Sequence, residues 1–172
     1  MKIGQTFLSG EQIRARAKEL AEQIDKDNAD SDKPLICVCV LRGAAMFYCD
    51  VIKHLKSEIR CEFVSVRSYD GMKACEPVLI QDAEIQKGAN VVVIEDIVDT
   101  GATVALMKKR FLSQGANSVK LCSMLARKDG VADYIGFVFD TDKFFIGYGL
   151  DYNEMYRSLP YIGILKRSVY EK

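Results

Sequence analysis

The sequence predicts an α/β fold: one domain built on an open, mainly parallel sheet flanked by helices. Three observations predict it. Short, unbroken apolar runs at residues 35–40 (LICVCV) and 91–94 (VVVI) read as strands buried on both faces, as in parallel sheets. Stretches with apolar residues at helical spacing alternate with those runs along the chain. The 172 residues, 49% of them apolar, suffice for one sizeable core, and no compositional break marks a second domain.

Taken in order, Ser9 and Gln12 form a capping box ahead of Ile13, Ala17, Leu20, Ala21 and Ile24, which share one helical face. Pro34 precedes the first buried strand, Leu41-Arg42-Gly43 turns out of it, and a helix spans residues 44 to about 55. A strand follows at 61–66. Residues 67–84 show no sustained periodicity, and Gly71, Pro77 and several polar residues mark a long loop, naturally read as a flexible lid. The turn-prone Lys87-Gly88-Ala89-Asn90 introduces the strand at 91–94. After it Val104, Met107 and Phe111 recur at i, i+3, i+7 until Gly115 stops the helix. A strand at 119–125 and short strands within 134–139, 143–149 and 161–165 complete the chain. Neither an internal repeat nor a low-complexity tract is visible.

Composition excludes several classes of partner. Twenty-four basic and twenty-four acidic residues cancel, leaving no global field for nucleic acid or an anionic membrane. No apolar stretch approaches the ~20 residues that span a bilayer, and the first residues lack a signal-peptide core. The expectation is a cytoplasmic protein that handles a small molecule. Cys37, Cys39 and Cys122 lie in apolar runs and read as core thiols of a reducing compartment. His54 is the single histidine and no second close cysteine pair exists, which argues against both a zinc site and a histidine-based triad.

The chemistry concentrates in residues 91–104, VVVIEDIVDTGATV. Glu95 and Asp96 end a buried strand. Adjacent carboxylates there repel and lose hydration, so they call for hydroxyls or a cation, and vicinal ribose hydroxyls fit. Asp99, Thr100, Gly101, Ala102 and Thr103 then combine small side chains, hydroxyls and a flexible backbone ahead of a helix, a concavity suited to phosphate. Ile97 to Gly101 also satisfies the two-apolar-then-DTG pattern of aspartic proteases. Those place DTG in an all-β lobe, however, whereas a helix follows here. Other motifs sit at the same strand ends: Leu41-Arg42-Gly43 after the first core strand and Ser68-Tyr69 after the second. In open parallel sheets that rim is where ligands bind.

Residues 91–104 resemble the diphosphoribose-binding signature of the type I phosphoribosyltransferases, and of their hypoxanthine-guanine branch in particular. The segments VLRGAAMF (40–47), SVRSYDG (65–71) and DKFFIGYGLDYNEMYRSLPYIG (142–163) are similar to that family as well, so the resemblance covers most of the chain. It implies a phosphoribosyltransferase-type fold over 1–172, with a core at about 35–126, a small hood formed by 1–10 and 127–172, and the lid at 67–84. It implies transfer of 5-phosphoribose from phosphoribosyl pyrophosphate to a 6-oxopurine, with Mg2+ as cofactor and a homodimer or homotetramer as the assembly.

By that resemblance the 5-phosphate belongs to residues 99–103, and the ribose and magnesium to Glu95 and Asp96, with Asp151 ordering the metal. Leu41, Arg42, Gly43, Ser68, Tyr69 and Arg157 face pyrophosphate, the Leu41–Arg42 peptide being often cis. Asp99 is the general base toward purine N7; a structural role as helix cap is the alternative. Ile97, Phe144, Phe145 and Asp151 serve the base, Phe144 by stacking. One departure stands out. Where the family usually has a lysine for the 6-oxo group, this chain has Arg127 followed by Lys128, and either could donate. Two other functions remain open: a pyrimidine-pathway regulator that binds RNA on the same fold, and a phosphoribosyltransferase for another base.

Overall fold

A computed structural model of the chain describes residues 2–70, 73–99, 101–127 and 132–170, without the side chains of 68–70 and 73–76. The elements run β1 (Ile3–Leu8), α1 (Gly10–Asp27), β2 (Leu35–Leu41), α2 (Ala45–Ile52), β3 (Ile59–Asp70), β4 (Lys73–Gln81), β5 (Asn90–Val98), α3 (Ala102–Ser113), β6 (Ser118–Arg127), β7 (Tyr134–Phe139), β8 (Phe145–Ile146), β9 (Ile162–Leu165) and α4 (Arg167–Tyr170). Six strands form one sheet in the order β4-β3-β2-β5-β6-β7. All its pairings are parallel except β3 with β4.

Both faces of the central strands are buried, as their unbroken apolar runs require. In β2, Cys37 and Cys39 join a cluster with Ile13, Leu20 and Phe47 of α1 and α2, whereas Ile36, Val38 and Val40 join Val104, Met107 and Phe111 of α3. Strand β5 divides likewise, Val92 and Ile94 facing one cluster and Val91 and Val93 the other. The period of two thus puts two helices on one side of the sheet and one on the other. Helix α1 starts as its sequence predicts: Ser9 Oγ accepts from the Gln12 amide at 3.2 Å and Gln12 Oε1 accepts from the Ser9 amide at 2.9 Å. No helix among the described residues is long and apolar enough to cross a membrane.

A second, antiparallel sheet of order β1-β9-β8 joins the two ends of the chain. Phe145 of β8 packs on Phe7 of β1 and on Phe139 of β7, with ring centroids 4.7 and 5.4 Å apart, which anchors this sheet to the main one.

The predicted loop at 67–84 requires correction. Residues 73–81 form β4, which pairs with an extended β3 through Arg67↔Val78, Tyr69↔Ala74 and Asp70↔Lys73. Pro77 is accommodated because β4 is the edge strand, where a missing amide donor leaves no inner neighbour unpaired. Pairing of β2 with β3 stops at Leu41↔Ser65. Residues 66–70 therefore pair with β4 alone and extend past the carboxyl end of β2 as a two-stranded arm.

Candidate active site

The chain passes from β2 to β3 on one side and later returns to place β5 on the other. The crevice between β2 and β5 is the topological switch point, and the sequence motifs meet at its carboxyl end. On the β2 side, the Leu41–Arg42 peptide is cis and Arg42 is largely exposed. On the β5 side, Glu95 is 7% exposed. Its neighbour Asp96 is half-buried, and its carboxylate accepts from the Ile97 amide at 2.7 Å.

Burial pushes the Glu95 carboxyl well above its ordinary range, and the adjacent Asp96 charge pushes it further. Asp96 is raised too, by desolvation, against hydrogen bonds from Glu95 and Ile97 and the nearby charge of Arg157. Two acids with little water and each other for company form a place where a cation or hydroxyl donors would relieve the repulsion.

Two glycines close this corner. A Cβ at Gly43 would overlap Oδ2 of Asp96, so the acid reaches its position only because residue 43 has no side chain. Gly149, at φ 100°, presses against the carbonyl of Gly43, where again a side chain would overlap. Three segments remote in sequence are thereby locked together: the turn after β2, the end of β5, and the segment after β8.

That last segment carries the polar cluster. Arg157 donates through Nη1 to the Gly149 carbonyl at 2.8 Å and through Nη2 to Asp151 Oδ1 at 2.8 Å. Glu154 continues the network, 3.5 Å from Arg157 Nη2 and 2.9 Å from Arg42 Nη2. Glu154 received no role from the sequence alone. The signal available was the three-residue spacing of Asp151, Glu154 and Arg157, which a tight turn gathers.

Beyond β5, Asp99 is half exposed and ion-paired with Arg127 at the end of β6. Helix α3 has Gly101 as its N-cap, at φ 77°, with no side-chain cap bond. Asp99 is thus not the helix cap, and Ala102 and Thr103 form the first turn, at the positive end of the helix dipole. Thr100 and Lys128, both expected in the site, lie outside the described residues.

The residues expected at the base separate into two kinds. Phe144 is half-buried, its ring 5.6 Å from that of Tyr152 and 5.5 Å from that of Tyr170. Phe145, in contrast, points its ring into the core, which leaves only its backbone for a ligand. Ile97 is half-buried opposite Leu125. The Arg127 guanidinium lies 4.9 Å from the centroid of Phe139 and donates to the Thr141 carbonyl at 3.3 Å, and neither partner was expected. The backbone of Ser68 and Tyr69 belongs to the β3–β4 arm.

Glu95, Asp96 and Asp151 do not converge on one metal cage: among the described residues no three His, Cys, Asp or Glu side chains do. Asp151 is committed to Arg157 instead. A magnesium ion held by one or two carboxylates and completed by substrate oxygens and water still fits this corner.

Comparison with known proteins agrees with this geometry. Residues 5–153 match the family model of the phosphoribosyl transferase domain. The hypoxanthine-guanine phosphoribosyltransferase of Streptococcus thermophilus (strain CNRZ 1066) is 38% identical over 178 residues, covering 99% of this chain and 97% of that protein. That of Bacillus subtilis (strain 168) is 36% identical, covering 98% and 97%. Among solved structures, a hypoxanthine phosphoribosyltransferase from Staphylococcus aureus superposes with a TM-score of 0.89 at 37% identity, covering 99% of this chain and 96% of that one. With a shared fold, a shared signature and near-complete mutual coverage, the chain belongs to the phosphoribosyltransferase family, in its hypoxanthine-guanine branch.

Proposed function

We propose that this protein transfers 5-phosphoribose from phosphoribosyl pyrophosphate to N9 of a 6-oxopurine, hypoxanthine or guanine with xanthine as a further candidate, releasing the nucleoside monophosphate and pyrophosphate. The observation that carries the reading is the acid pair at the switch point beneath Gly43, Glu95 buried and Asp96 half-buried. Little besides a polyhydroxylated, cation-bearing ligand rewards that arrangement.

The residues divide the work. The turn from Asp99 through Thr103 and the start of α3 receive the 5-phosphate. Glu95 and Asp96 hold the ribose hydroxyls and would hold the magnesium, which when bound would neutralise charge on the leaving pyrophosphate, while Asp151 orients Arg157. Leu41, Arg42 and Gly43 with Arg157 offer amides and cations to that leaving group. The C1–oxygen bond breaks as the N9–C1 bond forms, and Asp99 takes the N7 proton. Phe144 stacks on the purine and Arg127 or Lys128 donates to its 6-oxo group. The β3–β4 arm, with Ser68 and Tyr69, closes over the crevice and excludes water that would hydrolyse the activated sugar. A two-stranded ribbon is only marginally stable by itself, which suits a part that moves.

The test is nucleotide formation from phosphoribosyl pyrophosphate with hypoxanthine, guanine, xanthine, adenine and uracil offered separately, with and without magnesium. Magnesium-dependent product with 6-oxopurines is expected. Product from uracil or adenine alone would reassign the base, and no product from any base would end the enzymatic reading.

A further inference from the structure

Glu154 pairs with two arginines at once. Its Oε2 lies 2.9 Å from Arg42 Nη2 and its Oε1 3.5 Å from Arg157 Nη2, the two cations that the proposed reaction assigns to pyrophosphate. A carboxylate bridging two guanidiniums offers them what a phosphoryl group offers: two acceptor oxygens and a negative charge. The match is incomplete, because Nε of Arg157 is a buried donor with no hydrogen-bond partner among the described residues. A ligand richer in oxygens than a carboxylate would satisfy it.

The backbone supplies an independent observation. Tyr152 and Met155 exchange amide–carbonyl bonds of 3.2 and 3.1 Å around Asn153 and Glu154, whose φ angles are 50° and 62°. This is a two-residue hairpin turn with both central residues left-handed, in which asparagine suits the first position and glycine the second. The preceding turn follows that preference: Gly147 and Leu150 exchange bonds of 2.9 and 3.0 Å around Tyr148 and Gly149, at φ 50° and 100°. Glu154 occupies the place that Gly149 fills in the earlier turn, in a conformation its β-carbon disfavours. The Asp151 carboxylate fixes it there by accepting from the Glu154 amide at 2.8 Å. A left-handed glutamate aimed at two arginines directs attention to its side chain.

We propose that Glu154 is an internal competitor of the pyrophosphate: its carboxylate and the leaving group contend for the same donors on Arg42 and Arg157. Glu154 is a positioning residue with two effects. It holds both guanidiniums facing the crevice, and it loosens their grip on pyrophosphate so that the product leaves. This rests on the assignment of Arg42 and Arg157 to pyrophosphate.

The test titrates magnesium pyrophosphate into the wild-type protein and into Glu154→Gln, Glu154→Gly, Arg42→Gln and Arg157→Gln by calorimetry, with KM for phosphoribosyl pyrophosphate measured alongside. Glu154→Gln is expected to bind pyrophosphate about three- to tenfold tighter, the scale of a partly screened ion pair, and to lower KM for phosphoribosyl pyrophosphate in parallel. Glu154→Gly is expected to do the same and to raise the thermal midpoint, because the turn relaxes. If Glu154→Gln binds pyrophosphate no better than wild type, or more weakly, the carboxylate only braces the arginines and the proposal is overturned. If both arginine variants bind pyrophosphate as the wild type does, the assignment beneath it fails instead.

Discussion

Arg127 and Asp99 are ion-paired across the ends of β6 and β5, one residue beyond the register pair Val98↔Ala126. The two groups proposed to read the purine edge are therefore each other's partner. A 6-oxopurine presents N7–H toward a carboxylate and a carbonyl toward a cation on one edge, so a single base would exchange their mutual pair for two new bonds. Where the family's lysine would bring one ammonium, the guanidinium brings a planar fork of donors placed over the Phe139 ring.

Arg127→Ala is expected to raise KM for hypoxanthine and guanine about tenfold or more, the scale of a lost charge-assisted hydrogen bond, while KM for phosphoribosyl pyrophosphate stays within about twofold. Arg127→Lys is expected to fall between. Initial-rate measurements with each substrate varied in turn check both, and equal effects on the two substrates would place Arg127 outside base recognition.

Asp99→Asn is expected to keep the fold, since the side chain is half exposed, and to lower kcat by about 10²–10⁴, the usual contribution of one general base. Unchanged turnover in a variant with an unchanged thermal midpoint would remove Asp99 from the chemistry.

The acid pair carries a different expectation. Glu95→Gln combined with Asp96→Asn removes the charges proposed to face the sugar and metal, so saturation by phosphoribosyl pyrophosphate is expected to shift upward and its magnesium dependence to flatten. The same change relieves two carboxyls that burial holds above their ordinary range, so the folded state is expected to gain stability. Loss of function with a higher thermal midpoint is the signature to seek.

Far from the site, Asp25 ties α1 to the segment after α2. Its carboxylate accepts from Ser57 Oγ at 2.6 Å and from the amides of Lys56 and Ser57 at 2.9 and 3.0 Å. Burial alone would raise its pKa, but these bonds outweigh burial and hold it below the ordinary carboxylate range. A depressed carboxyl stabilises the fold above its unfolded pKa and loses that contribution as pH falls through the folded value. Asp25→Asn is therefore expected to be destabilising by about 1–3 kcal/mol at pH 7 and by much less near pH 3, as read from urea unfolding at the two pH values.

What the sequence disclosed follows from how local each signal is. Strand β5 and helix α3 were legible because Val91 through Ile94, and then Val104, Met107 and Phe111, carry their periods within a few residues. Cys37 and Cys39 were legible as core thiols for the same reason. Strand β1 was missed because only pairing with β9, through Thr6↔Gly163 and Leu8↔Ile162, makes it a strand. The arm at β3 and β4 was obscured by Gly71 and Pro77, which punctuate a hairpin as readily as a loop. In the site, residue types pointed to Glu95, Asp96 and Asp99, but the partners of Arg127 and the reach of Glu154 depend on where a remote backbone comes to rest.

The packing of Gly149 on Gly43, and of Gly43 on Asp96, bears on how such an enzyme can change. The part proposed to read the heterocycle is not a detachable cap above a generic sugar-handling chassis. The two were fitted to each other with no room for a methyl group at either junction. Redesign of base preference by transplanting the carboxyl-terminal segment alone would disturb the acids beneath it, whereas exchanging side chains on an intact backbone would leave them in place.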